Sequence, residues 1–192
     1  MENEQYPDVM VDIETTGTRP EHSGVIQIAA VRFNLDQKTV DASDMFDRCL
    51  AMAPNRYWDE DTRQWWQGKN LKVYHQICQR MEDPSVVMTA FKDWSMKLKT
   101  DEPLRFWAKP TSFDFSFMQS YFRQYNLHYP YHFRYARDMN SYMAGLAGRP
   151  EHREFDVDFA GDAHNALHDV LHQIKILFAA KDIFDNGQNN RD

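Results

Sequence analysis

The sequence is poor in cysteine. Cys49 and Cys78 are the two in 192 residues, and they form no paired motif. A disulfide framework and a zinc knuckle are therefore excluded, and a reducing cytoplasm is the expected setting. No apolar run approaches the roughly 18 residues that a membrane span requires, so no membrane role is expected. The opening "MENEQYPDVM" lacks the basic and apolar regions of a signal peptide. Excess positive charge is absent too: 22 Lys and Arg stand against 29 Asp and Glu, a net charge of -7. That argues against binding nucleic acid by bulk electrostatics alone. It leaves room for an enzyme whose carboxylates hold divalent cations, because such a site meets phosphate as a positive charge. No internal repeat and no low-complexity stretch occurs.

What is there suffices for one folded domain. The chain is 42% hydrophobic and 14% aromatic, enough for a substantial core. The domain is expected to span 6–181, with flexible tails at 1–5 and 184–192. Strands are expected at 9–14, 25–33 and 39–50, joined by hairpin turns. Helices follow near 59–66 and 71–81. Asp83 and Pro84 open a further helix whose apolar face carries Val87, Phe91, Trp94 and Leu98. A strand at 104–108 precedes a helix capped by Ser112. A short strand in "FRYARDM" leads to a helix from about Asn140. The polar run "GRPEHREFDVDFAGDA" reads as a loop. The last helix has Leu167, Val170, Leu171, Ile174, Leu177 and Phe178 on one side, the cleanest amphipathic pattern in the chain. Three hairpin-linked strands followed by alternating helices and strands imply an α/β three-layer domain, with helices on both faces of a mixed five-stranded sheet.

The first strand reads "VMVDIETTGT". Strand side chains alternate, so Asp12 and Glu14 share one face while Val9, Val11 and Ile13 take the other. Two neighbouring carboxylates at a strand end are costly unless neutralised, and a divalent cation does this well. Thr15, Thr16 and Gly17 then offer hydroxyls and close backbone approach, both suited to phosphate. Alone, D-x-E is weak: 20 Asp and 9 Glu in 192 positions give about one such pair by chance. Asp114 sits between Phe113 and Phe115 at the start of a helix. In isolation it would be an acid favoured by the helix dipole. Its apolar neighbours imply burial, and a buried carboxylate needs a partner.

His164, His168 and His172 recur every four residues in "GDAHNALHDVLHQIKILFAA". Histidines at i, i+4 can share zinc, but His168 and His172 fall away from the apolar face, where solvent is expected. His164 and Asp169 are five apart, about 140° around a helix, and would converge only if His164 preceded the helix. Trp65 and Trp66 are adjacent, about 100° apart, so one can pack inward while the other offers a face for base stacking. Trp66 and Phe113 are taken as candidate substrate-binding residues, with the choice between Trp65 and Trp66 left open. Arg123, Arg134, Arg137, Arg149 and Arg153 could track phosphates, although scattered surface arginines are usually just solvated.

The ordered set is far more specific than its pieces. D-x-E on the first strand, an Asp opening a mid-chain helix, and H-x-x-x-x-D opening the last helix together resemble the DEDDh 3′-5′ exonucleases of the ribonuclease H-like superfamily. The matching residues are Asp12, Glu14, Asp114, His164 and Asp169. "EDTRQWWQGKN", "FWAKPTSFDFSFM" and "YARDM" are similar to blocks of the phage exonuclease A type and its bacterial exoribonuclease relatives. Lys109-Pro110 departs from the glycine-containing link those relatives often carry. The resemblance implies two Mg²⁺ or Mn²⁺ ions on the four carboxylates, with His164 as general base. The implied substrates are 3′ ends of single-stranded DNA or RNA, cut to nucleoside 5′-monophosphates. The implied setting is the cytoplasm of a bacterium or of a phage-infected host, and a homodimer is compatible with it. A binding module that has lost its chemistry would be expected to lack an acid or the histidine. A zinc hydrolase would use the histidine stripe.

Overall fold

Strand β1 (Asp8–Thr15) is antiparallel to β2 (Val25–Asn34), with Asp12 opposite Ala29 and Glu14 opposite Gln27. The computed structural model that shows this describes residues 6–97, 103–151 and 156–189. Leu98, Arg153 and the N-terminal tail fall outside the described residues. Nine of the ten residues of β2 are buried, because helices cover both faces of the sheet and leave no solvent side.

The strand expected over 39–50 is broken in two, β3 (Thr39–Val40) and β4 (Phe46–Leu50). The cause lies in the intervening "DASDM". Asp41 Oδ1 accepts from the amide and the hydroxyl of Ser43 at 3.2 and 2.7 Å, a side-chain turn that competes with strand pairing. Helices α1 (Glu60–Gln67) and α2 (Leu71–Cys78) follow. The second ends before Met81, because β5 (Met81–Glu82) leaves to pair parallel with β4. Helix α3 (Pro84–Met96) starts as expected, the Asp83 side chain accepting from the amides of Ser85 and Val86.

Strand β6 (Arg105–Ala108) runs parallel to β1 and leads to α4 (Thr111–Gln124). Ser112 lies inside that helix and does not cap it. Pro110 holds the cap position, and the amide of Thr111 donates to Asp138 Oδ2 at 2.9 Å instead. Strand β7 (Ala136–Asp138), helix α5 (Met139–Ala147) and helix α6 (Ala166–Asn189) complete the chain. Helix α6 runs on through residues 184–189, where a flexible tail was expected.

The sheet order is β5-β4-β2-β1-β6-β7, with β3 attached to β2. It is mixed and seven-stranded; the expected five become seven because two-residue pieces pair at β3 and β5. One face packs Val9, Val11 and Ile13 against Phe91 of α3 and Phe117 and Tyr121 of α4. The other packs Met10, Ala29 and Trp107 against Met143 of α5 and Val170, Ile174 and Leu177 of α6. Trp66 of α1 and Ile77 of α2 close a third cluster against Ile26 and Cys49. No helix among the described residues is long and apolar enough to cross a membrane.

Candidate active site

Asp12 and Glu14 point from β1 toward α6, as strand alternation requires. The Asp114 carboxylate, on the first turn of α4, approaches from the side, its Oδ1 accepting from the amide of Ile13 at 3.1 Å. Asp169 comes from the first turn of α6. His164 precedes that helix, with φ at 63°. Asn165 opens the helix by accepting the amide of His168 on its side chain at 3.4 Å. The buried Gln27 of β2 accepts the amide of Ala166 at 3.2 Å. These contacts turn the chain sharply at His164, so the 140° of a continuous helix does not apply. Ligating atoms of Glu14, His164 and Asp169 lie within 4.8 Å of one another. Asp12, Glu14, Asp114, His164 and Asp169 line one cleft of about 250 Å³, with Ile13, Phe113 and Lys109.

The electrostatics of this cleft are unbalanced. Burial, then the charge of Asp169, pushes the Asp12 carboxyl up to about 7. Burial and the charges of Asp12, Asp169 and Asp114 hold Glu14 well above the usual carboxylate range. Asp114 is raised by burial and by Asp12, and Asp169 is raised by burial. The side chain that relieves Asp12 is Gln173, whose Nε2 donates to Oδ1 at 2.9 Å. Buried acids at this density are stable only when protonated or when a cation joins them. Oxygen donors converging from three elements are the donor set that hard divalent cations take, so the residues present fit a metal site.

The residues expected around the acids divide. Phe113 lines the cleft. Thr16 is fully buried and its hydroxyl is committed, donating to the carbonyl of Tyr57 and accepting from the amide of Gly24. Thr15 donates to the carbonyl of Gly17 at 2.7 Å. Gly17 is buried, and a Cβ there would come within 2.2 Å of Asp59 Oδ2, so glycine is required for the turn rather than for a ligand. Trp66 is 1% exposed, with Nε1 donating to the carbonyl of Thr15 at 3.0 Å. It cannot stack on a base. Trp65 is the open one, 40% exposed, its ring edge-on to His164 with centroids 4.6 Å apart. Trp66 packs in one cluster with Ile77, Val73 and the partly buried Trp58, a choice between the two indoles that spacing along the chain does not show.

The histidine stripe is neither a metal site nor a wet face. Among the described residues, the metal-compatible group is Glu14, His164 and Asp169. His168 and His172 are half-buried under the loop before α6. Two residues escaped the sequence reading as functional: Gln173, four after Asp169 on the same helix face and bonded to Asp12, and Lys109, a cation lining the cleft.

Known proteins agree with this architecture. No curated protein sequence matches the chain. Among solved structures, cell-death related nuclease 4 (CRN-4) matches with TM-score 0.68 and 19% identity, over 92% of this chain and 64% of that one. E. coli exonuclease I in complex with a dT13 oligonucleotide matches with TM-score 0.69 and 17% identity, over 95% and 43%. Exonuclease I from Methylocaldum szegediense matches with TM-score 0.65 and 18% identity, over 91% and 40%. The chain thus spans under two thirds of each, and at these identities the likeness shows the ribonuclease H-like fold. Residues 7–180 match a sequence family as well, and on that match the chain belongs to the Rv2179c-like 3′-5′ exoribonuclease domain family.

Proposed function

We propose that the protein hydrolyses single-stranded nucleic acid from its 3′ end, releasing nucleoside 5′-monophosphates, with two Mg²⁺ or Mn²⁺ ions in the carboxylate cleft. The observation that carries this is the convergence of Asp12, Glu14, Asp114, Asp169 and His164, from distant parts of the chain, on one cleft. The family description supports RNA as substrate. The dT13 complex of E. coli exonuclease I supports a single strand.

Asp12, Glu14, Asp114 and Asp169 would hold the ions through their carboxylates. Such ions, when bound, supply the positive charge that acidifies the attacking water and stabilises the transferring phosphoryl group and leaving 3′ oxygen. His164 takes the proton of the attacking water on an imidazole nitrogen. It is exposed and precedes the helix, so it can reach solvent and cleft alike. Trp65, beside His164, offers its open face to a base.

The test is degradation of 5′-labelled single-stranded RNA and DNA with Mg²⁺ or Mn²⁺. Wild type should give a ladder shortening from the 3′ end, Asp12→Asn should abolish it, His164→Ala should slow it about a hundredfold, and Trp65→Ala should raise KM about tenfold. A ladder that survives Asp12→Asn would sink the proposal.

A further inference from the structure

The loop that carries His164 is held from two sides, and the spare histidines of the stripe form one of them. Asp162, two residues before His164, donates its backbone amide to His168 Nδ1 on α6 at 2.9 Å. Gly161 lies flat on the same ring. Its φ is +116°, and a Cβ there would come within 2.5 Å of His168 Nδ1, so no other residue lets the loop seat this closely. One turn further along α6, His172 meets Phe159 of the loop edge-on, with ring centroids 4.9 Å apart. From the opposite side α2 reaches the same aspartate. Lys72 Nζ lies 2.6 Å from Asp162 Oδ1, and Gln76 Nε2 lies 3.5 Å from Oδ2.

The energetics of this clasp separate holding from stabilising. Lys72 is 71% exposed and Asp162 30%, so their ion pair contributes little to global stability. It does set where a short stretch of chain lies. The stretch ends at a histidine with positive φ that has two contacts into the site, Trp65 and the acids. Base catalysis needs hydrogen-bond reach, and a shift of about 1 Å can cost up to about a hundredfold in rate.

We propose that Asp162, clasped between Lys72 of α2 and His168 of α6, is a positioning residue for His164. The regular spacing of the three histidines then has one purpose: the second and third seat the loop that presents the first. The proposal rests on the reading of His164 as general base.

The test is a double-mutant cycle on the metal-loaded enzyme, with steady-state kinetics on a labelled oligonucleotide. Asp162→Ala should lower kcat about tenfold with KM unchanged, and should shift Tm by no more than about 2 °C, as for a surface ion pair. In a His164→Ala background the same change should cost nothing further, because a residue that acts through another has no effect once that other is gone. The paired reversal Lys72→Asp with Asp162→Lys should recover rate relative to either single change. Independently of activity, hydrogen exchange in metal-free Asp162→Ala should quicken at amides 159–164 and nowhere in the sheet. Wild-type kcat in Asp162→Ala, or a full tenfold loss on top of His164→Ala, would overturn the positioning role. Full activity in His164→Ala would overturn the general base instead, so the two failures are distinct.

Discussion

Strand β1 carries buried acids at both ends, and the two ends are treated in opposite ways. Asp8 is fully buried, and the protein satisfies it completely. Arg105 donates to it from Nε and Nη2 at 2.6 and 2.8 Å, Trp107 from Nε1 at 2.7 Å, and the amide of Leu35 at 3.3 Å. Four residues on and on the same face, Asp12 receives one neutral amide from Gln173 and otherwise faces acids. Asp8 is fully buried and Asp12 partly so, but what sets their treatment apart is the neighbouring elements. Parallel pairing sets Asp8 beside Arg105 and Met10 beside Trp107, so β6 delivers a cation and an indole donor to one end. Helices α4 and α6 deliver Asp114 and Asp169 to the other. The protein neutralises one buried carboxylate fully and gives the next a single neutral amide, an arrangement that a divalent cation would complete.

The contrast can be broken by experiment, and the largest effect is at the bare end. Asp12→Asn should lower kcat at least about a thousandfold, about 4 kcal/mol of transition-state stabilisation. The same change should leave the metal-free protein as stable as wild type or more so, because it removes an uncompensated charge. Asp8→Asn should do the reverse. It should keep kcat per folded molecule and destabilise by about 2–3 kcal/mol in urea unfolding, below the usual figure for a buried pair because the Arg105 side chain is 25% exposed. If both variants lost stability alike, the division between the ends would be wrong.

A medium effect follows from the sign of the Asp12 shift. Its folded-state value of about 7 lies above the ordinary 3.8, so between those values the folded protein binds more protons than the unfolded chain. The resulting stability is present in full below about pH 4 and is lost as pH rises through 7. Metal-free protein in EDTA should therefore melt at least about 5 °C lower at pH 8 than at pH 5, while Mg²⁺ should flatten the difference. Equal melting temperatures in EDTA would mean that the acids are compensated within the protein. The smallest effect is at Gln173. Gln173→Ala should raise the Mg²⁺ concentration for half-maximal binding, by calorimetry, about fivefold, the loss of about 1 kcal/mol for one hydrogen bond that orients a ligand. Unchanged Mg²⁺ affinity would reduce Gln173 to a packing residue.

Much of this was legible beforehand, for local reasons. The alternation of β1 put Asp12 and Glu14 on one face, Asp83 with Pro84 announced α3, and the apolar stripe of α6 was read correctly from Leu167 to Phe178. The misreadings were tertiary. Trp66 was named for the substrate with the choice against Trp65 left open, because adjacent helical residues are symmetric until a neighbour such as Ile77 claims one side. His168 and His172 were assigned to solvent, because helix periodicity sees the core but not a loop that folds over the far side. Thr16 looked like a phosphate ligand, yet its hydroxyl is taken up by Gly24 in the β1–β2 turn and by Tyr57 before α1.

The sequence by itself determined the main helices and strands, the faces of β1 and the ordered set of four acids and one histidine, since these follow from spacing along the chain, whereas the two-residue strands β3 and β5 exist only by pairing. Only the tertiary structure decided that the acids share a cleft with Lys109 at its rim, while Asp8, fully buried, receives Arg105 directly. Distances between elements are set by sheet register and helix packing, and a charge takes its meaning from what those bring within a few ångströms of it.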